Sequence, residues 1–238
     1  MSNVTDERVR KFLEKDSGIT FSAFPREGIM VQQSQARTDE PKNRIKIYRV
    51  GKGALATCIP HFQATIESVI QEMDMWELFS PIGLAELQRA ISTDAAKTLA
   101  IGFDYTMTDL SQLQFDFDSV SVKPVKSKRL SDTPPSEMEL QLPMIKQKKI
   151  EAFVIYQNDE KASVSDVVWR TRRVIEIGVA TNERYRSRGF ATSVVAFAAR
   201  WILQRGAVAH YGVEVDNIPS IRIARRLGFN LTWQTIRA

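Results

Sequence analysis

Residues 174–195 read "VIEIGVATNERYRSRGFATSVV", and the way this stretch changes character along its length decides the fold. Its first eight residues, "VIEIGVAT" (174–181), are β-branched and apolar around a single glutamate, the pattern of a strand. From Gly189 to Gln204 the apolar positions Phe190, Val194, Phe197, Ala198, Trp201 and Ile202 recur at helical spacing, and Gly206 is a natural stop. Between strand and helix lies a loop carrying Arg184, Arg186, Arg188 and Gly189. A strand that ends in such a loop and feeds a helix gathers unpaired backbone N–H groups and the positive end of the helix dipole at one point. Such a point binds phosphate. Gly189 lets backbone approach an anion with no side chain in the way, Ala191 keeps the next position small, and the arginines add charge-assisted donors.

Working outward, "IEAFVIYQ" (150–157) and "ASVSDVVW" (162–169) are strand-like runs separated by Asn158-Asp159-Glu160-Lys161, which suits a hairpin. Downstream, "VAHYGVEV" (208–215) reads as a strand and "NIPSIRIARRLGF" (217–229) as a helix with Asn217 as cap, Pro219 in the first turn and Gly228 at the stop. "NLTWQTIR" (230–237) is a final strand. In the N-terminal half, "NRIKIYRV" (43–50) and "ALATCIP" (54–60) flank Gly51-Lys52-Gly53 as a hairpin, residues 61–73 have helical spacing, and "SPIGLAELQRAI" opens with the capping pair Ser80-Pro81. Residues 98–107 read as a strand, whereas the proline- and charge-rich 123–143 reads as a connecting segment. The expectation is an N-terminal α+β region over 1–119 and a C-terminal layered α/β domain over 120–238.

Composition narrows the chemistry. The 238 residues are 43% hydrophobic, enough for a packed core, and no run approaches the ~20 apolar residues of a membrane span. Residues 1–10 are too charged for a secretory signal, so the chain reads as cytoplasmic. One cysteine, Cys58, and two histidines, His61 and His210, argue against a disulfide framework and against a metal site. Net charge is −4 over residues 1–120 and +9 over 121–238, so the C-terminal half should attract a polyanion. Neither a G-x-x-x-x-G-K-[ST] run nor G-x-G-x-x-G occurs, which excludes the usual nucleotide loops.

What remains, Arg186-Ser187-Arg188-Gly189-Phe190-Ala191, fits R/Q-x-x-G-x-G/A, and the chain here resembles the GNAT superfamily of acyl-CoA N-acyltransferases. The preceding "EIGVATNERYR" resembles that family's fourth strand, and Asn217-x-x-Ser220 followed by Leu227-Gly228-Phe229 resembles its second signature. The resemblance covers residues 120–238. It implies a mixed, mostly antiparallel twisted sheet with flanking helices, an α/β (α+β) fold, to which the N-terminal α+β region is an addition. It also implies acetyl-CoA, or another acyl-CoA, as co-substrate: Arg186, Ser187, Arg188, Gly189, Phe190, Ala191 and Thr192 on the diphosphate, Asn217 and Ser220 near the pantetheine, and backbone at Val179, Ala180 and Thr181 pairing with the pantetheine arm where two strands splay. Arg184 lies outside the signature.

The expected reaction is transfer of an acetyl group to a primary amine by direct attack in a ternary complex, which requires a general base. Glu176 is the first candidate, since it interrupts an apolar strand; its alternative role is an ion pair with Arg172 or Arg173. Glu214, Asp216 and His210 stand behind it. The family commonly carries a tyrosine four residues past the serine of the second signature to protonate the departing thiolate, and here that position is Ala224. Tyr211 on the neighbouring strand is the candidate substitute. The expected partner is an amine-bearing small molecule rather than a membrane or nucleic acid, with a homodimer left open. Ala224 and the N-terminal half also keep a non-catalytic acyl-CoA sensor or regulator as the alternative.

Overall fold

The computed structural model describes residues 4–37, 44–91, 98–125 and 149–237, with the side chains of 149–151 excepted. Its elements in chain order are α1 (Glu7–Ser17), β1 (Glu27–Gln33), β2 (Ile45–Val50), β3 (Lys52–Cys58), α2 (Gln63–Gln71), α3 (Met75–Leu78), α4 (Pro81–Ile91) and β4 (Ala100–Met107). They continue with β5 (Lys123–Val125), β6 (Lys149–Gln157), β7 (Glu160–Trp169), β8 (Val174–Thr181), α5 (Phe190–Leu203), β9 (Val208–Glu214), α6 (Ile218–Leu227) and β10 (Asn230–Arg237). No described helix is long and apolar enough to cross a membrane. The chain divides into two compact units, Met1–Asp104 with Val213–Asn217 and Leu231–Ala238, and Tyr105–Gly212 with Ile218–Asn230. β4 and β9 contribute residues to both.

In the first unit the strand order is β1-β3-β2-β10-β4. The hairpin of β2 and β3 closes at Val50↔Gly53 around Gly51-Lys52, and β10 adds antiparallel to β2. Alternation sends Ile45 and Ile47 of β2 to one face, where they join Ala54, Ala56 and Cys58 under Ile66 and Ile70 of α2 and Leu87 and Ile91 of α4. These helices form because their apolar residues recur every three or four positions and have this face to cover. α1 begins where the Asp6 carboxylate accepts the Arg8 N–H at 2.8 Å. β1, which the sequence reading did not anticipate, pairs parallel to β3 from Glu27↔Lys52 to Gln33↔Cys58.

In the second unit the order is β9-β8-β7-β6-β5. The β6–β7 hairpin turns on Asn158 and Asp159 alone, at φ 50° and 62°, because Glu160 and Lys161 already pair with Gln157 and Tyr156. β5 pairs antiparallel to β6 across Lys123↔Val154 to Val125↔Ala152, so the first three residues of the expected connecting segment are strand. Pro124 is tolerated there because an edge strand needs no donor on its outer side. Residues 126–143 of that segment lie outside the described residues. α5 buries Val194, Val195, Ala198, Ala199 and Ile202, with Trp201 edge-on to Phe153 of β6 at 6.4 Å and Phe197 against Phe117 at 5.1 Å. The expected mixed, mostly antiparallel sheet with flanking helices is what forms.

Candidate active site

β8 is fully paired on one edge and barely paired on the other. Its antiparallel ladder to β7 runs from Trp169↔Ile175 to Ser163↔Thr181, while its parallel ladder to β9 has only Val174↔Val208, Ile175↔Ala209 and Glu176↔His210. Past Glu176 the strands fork. The Asn182 N–H donates to the Ala162 carbonyl at 3.0 Å, which sets the phase of the β7–β8 ladder. By alternation Ala180 and Gly178 point their backbone groups at β7, and Thr181, Val179 and Ile177 point theirs to the open edge. Gly178, Val179, Ala180 and Thr181 are half-buried, unlike the first four residues of the strand. Unpaired backbone on a strand edge is a template for another extended, amide-bearing chain.

At the end of that edge the loop 182–189 delivers the chain into α5. Asn182 caps a short turn by accepting the Arg184 N–H at 3.1 Å, and the Tyr185 ring packs inward with its hydroxyl donating to Glu160 at 3.1 Å. Ser187 and Gly189 have positive φ, 63° and 81°. The first intrahelical bond of α5 is Ser193 N–H to the Gly189 carbonyl at 3.1 Å, and no side chain caps the helix. The N–H groups of Phe190, Ala191 and Thr192 are therefore free of intrahelical partners. The arginines differ in their present engagements. Arg184 lies 3.9 Å from Glu160, Arg186 pairs with Glu183 at 3.2 Å, and the Arg188 guanidinium sits 5.5 Å over the Tyr185 ring. The Arg186 pair is exposed, worth at most ~1 kcal/mol, so exchanging Glu183 for an external anion costs little.

At the apex of the fork, Glu176 is buried and paired with Arg170, not with Arg172 or Arg173. Strand alternation puts Glu176, its cross-strand neighbour His210 and, opposite Gly178, Asp166 on one sheet face, all three buried. Tyr211, one residue beyond the last β8–β9 pair, points to the other face, with its ring 6.0 Å from Phe229. Burial pushes its phenol up to about 12, opposed by the Ser220 hydroxyl. Ser220 and Ala224 stand one turn apart on α6, and Ala224 is buried, its carbonyl accepting the Phe229 N–H at 3.0 Å. Asn217 belongs to the first unit, where its N–H donates to the Glu214 carbonyl at 3.0 Å.

Sequence reasoning missed Arg170 and Asp166. The signal for Asp166 was present, since a carboxylate inside "ASVSDVVW" interrupts a buried run. No His, Cys, Asp or Glu cluster suited to a metal ion occurs among the described residues.

Tyr211 gives a pH prediction. Its neutral phenol is favoured by folding, so its contribution is complete below the unfolded value of ~10 and is lost as pH rises to about 12. Between about pH 8 and about pH 11.5 the unfolding free energy should fall less for Tyr211→Phe than for the parent, by ~1–2 kcal/mol in urea titrations. An equal fall in both would refute the buried phenol.

Residues 147–235 match the family model described as GNAT acetyltransferase. Among solved structures the chain is similar to a protein assigned to the GNAT acetyltransferase family from Novosphingobium aromaticivorans, at 17% identity over 58% of this chain and 63% of that one, TM-score 0.48. That match spans less than two thirds of the Novosphingobium protein. A GCN5-related N-acetyltransferase-like protein from Streptococcus suis is similar at 17% identity over 67% and 69% of the two chains, TM-score 0.44. An acetyltransferase from the GNAT family of Colwellia psychrerythraea is similar at 14% identity over 81% and 80%, TM-score 0.43. No curated protein matches the chain. Residues 147–235, the part of the chain that matches the GNAT acetyltransferase model, hold the forked strand, the basic loop and the helix it feeds.

Proposed function

We propose that the protein is an N-acetyltransferase that moves an acetyl group from acetyl-CoA to a primary amine by direct attack in a ternary complex. The observation that carries the reading is the fork after Glu176↔His210, with the basic loop and uncapped helix at the end of its open edge. The residues fit the co-substrate. Gly189 is exposed and a Cβ placed on it would meet nothing within 4 Å, so the approach to the unpaired N–H groups of α5 is open. An open helix N-terminus flanked by arginines suits a diphosphate, and the half-buried edge at Val179, Ala180 and Thr181 suits the amides of a pantetheine arm.

Acetyl-CoA supplies the acetyl group as a thioester. Arg186, Ser187, Arg188, Gly189, Phe190, Ala191 and Thr192 hold the diphosphate, with Ser220 toward the pantetheine. The outward N–H of Val179 stabilises negative charge on the carbonyl oxygen as the amine attacks. Glu176, oriented by Arg170, takes the proton from the attacking nitrogen on one sheet face. Tyr211, on the other face, donates to the sulfur as the C–S bond breaks and the C–N bond forms. Its hydroxyl, toward Ser220, stands in for the tyrosine that Ala224 lacks. Residues 120–238 are the catalytic domain in this reading and residues 1–119 a region that binds the acceptor, a cytoplasmic small-molecule amine.

The test is turnover. CoA release followed with a thiol reagent across a panel of amines should exceed acetyl-CoA hydrolysis without amine. Acetyl-CoA binding with no amine-dependent release would favour the second reading, a non-catalytic acyl-CoA sensor, for which the observation is Ala224 in place of the usual acid.

A further inference from the structure

We infer that the first unit carries a binding site for a small-molecule carboxylate, built on Arg49 of β2 with Gln234 of β10 and the rings of Trp76 and Phe79. Arg49 shares the helix-covered face of β2 with Ile45 and Ile47 and is only 6% exposed. Its guanidinium carbon lies 4.4 Å from the Trp76 ring centroid and 5.7 Å from that of Phe79. No described carboxylate pairs with it, no described group accepts a hydrogen bond from it, and its Nε is buried without an acceptor. Gln234 stands directly across the ladder, and its Oε1 is also buried without a partner.

Aromatic rings satisfy the faces of a guanidinium and leave its in-plane donors, the buried Nε of Arg49 among them, without a described acceptor. A charge removed from water without an acceptor is costly, and desolvation does lower the Arg49 pKa. A planar anion that approaches in the guanidinium plane removes that cost through two parallel N–H···O bonds. A carboxylate has that shape, and the Gln234 side-chain Nε2–H, rather than its Oε1, is the donor that would make its third contact. Phosphate is tetrahedral and more strongly hydrated and would leave the rings unused. Trp76, 74% exposed, gives one face to Arg49 and offers the rest of its indole to an apolar group on the ligand.

Phenylacetate titrated into the 238-residue protein, followed by calorimetry and by tryptophan emission, tests the inference. Saturable one-site binding is expected, with affinity at least ~30-fold weaker in Arg49→Met and several-fold weaker in Gln234→Leu. Inorganic phosphate in the parallel titration should bind more weakly than phenylacetate. The inference is overturned if the parent shows no saturable binding, if the variant that folds binds as the parent does, or if phosphate binds more tightly. Acetyl-CoA protection of the same preparations should be unchanged by either substitution, so loss of one activity leaves the other reading standing.

Discussion

Replacing Gly189 with alanine is expected to weaken acetyl-CoA binding by ~100-fold while lowering the melting temperature by only a few degrees. The two effects separate because they have different causes. At φ 81° an alanine pays the left-handed penalty of roughly 1–2 kcal/mol, but its methyl group meets nothing within 4 Å, so no repacking adds to the cost. Under the proposed function that same methyl group would stand where the anion approaches the N–H groups of α5. Losing charge-assisted hydrogen bonds of this kind costs ~2–3 kcal/mol, which is the hundredfold. Arg186→Ala and Arg188→Ala should each cost less, about 5- to 20-fold and more at low salt, because both side chains are solvent-facing donors. Calorimetric titration with acetyl-CoA, set beside thermal unfolding without it, reads both quantities. Parent-like affinity in Gly189→Ala would remove the loop from the co-substrate site.

What the sequence made legible was whatever is coded locally. The strand at 174–181, the hairpin tip at Gly51-Lys52 and the helix after Gly189 fall within a residue of their expected bounds, because alternation, turn glycines and helical spacing act over a few positions. β1 was not legible because it is a short edge strand whose parallel partner lies well along the chain. The fork was seen only through resemblance, since nothing in "VAHYGVEV" says that pairing stops at His210. The partner of Glu176 was misplaced for a geometric reason. In "WRTRRV" (169–174) all three arginines are near in sequence, but the register Val168↔Glu176 puts Arg170, two residues on from Val168, on the face of Glu176, while Arg172 and Arg173 lie in the turn.

That placement makes Glu176 the residue with the largest expected catalytic effect. Glu176→Gln keeps the shape and a hydrogen bond to Arg170 but removes the proton acceptor, and kcat should fall by ~10²- to 10³-fold with little change in KM for acetyl-CoA. A structural role would also lower activity, because the substitution breaks a buried ion pair. The pH profile tells the two apart. An amine acceptor with a pKa near ~10 sheds its own proton to solvent as pH rises, so an enzyme lacking only its base recovers relative to the parent toward alkaline pH. A distorted site does not recover. A deficit in Glu176→Gln that shrinks at least ~10-fold between about pH 7 and about pH 10 assigns the base to Glu176. A deficit that is flat across that range assigns the residue to the architecture of the fork and moves the search for the base along the same face, to His210 and Asp166.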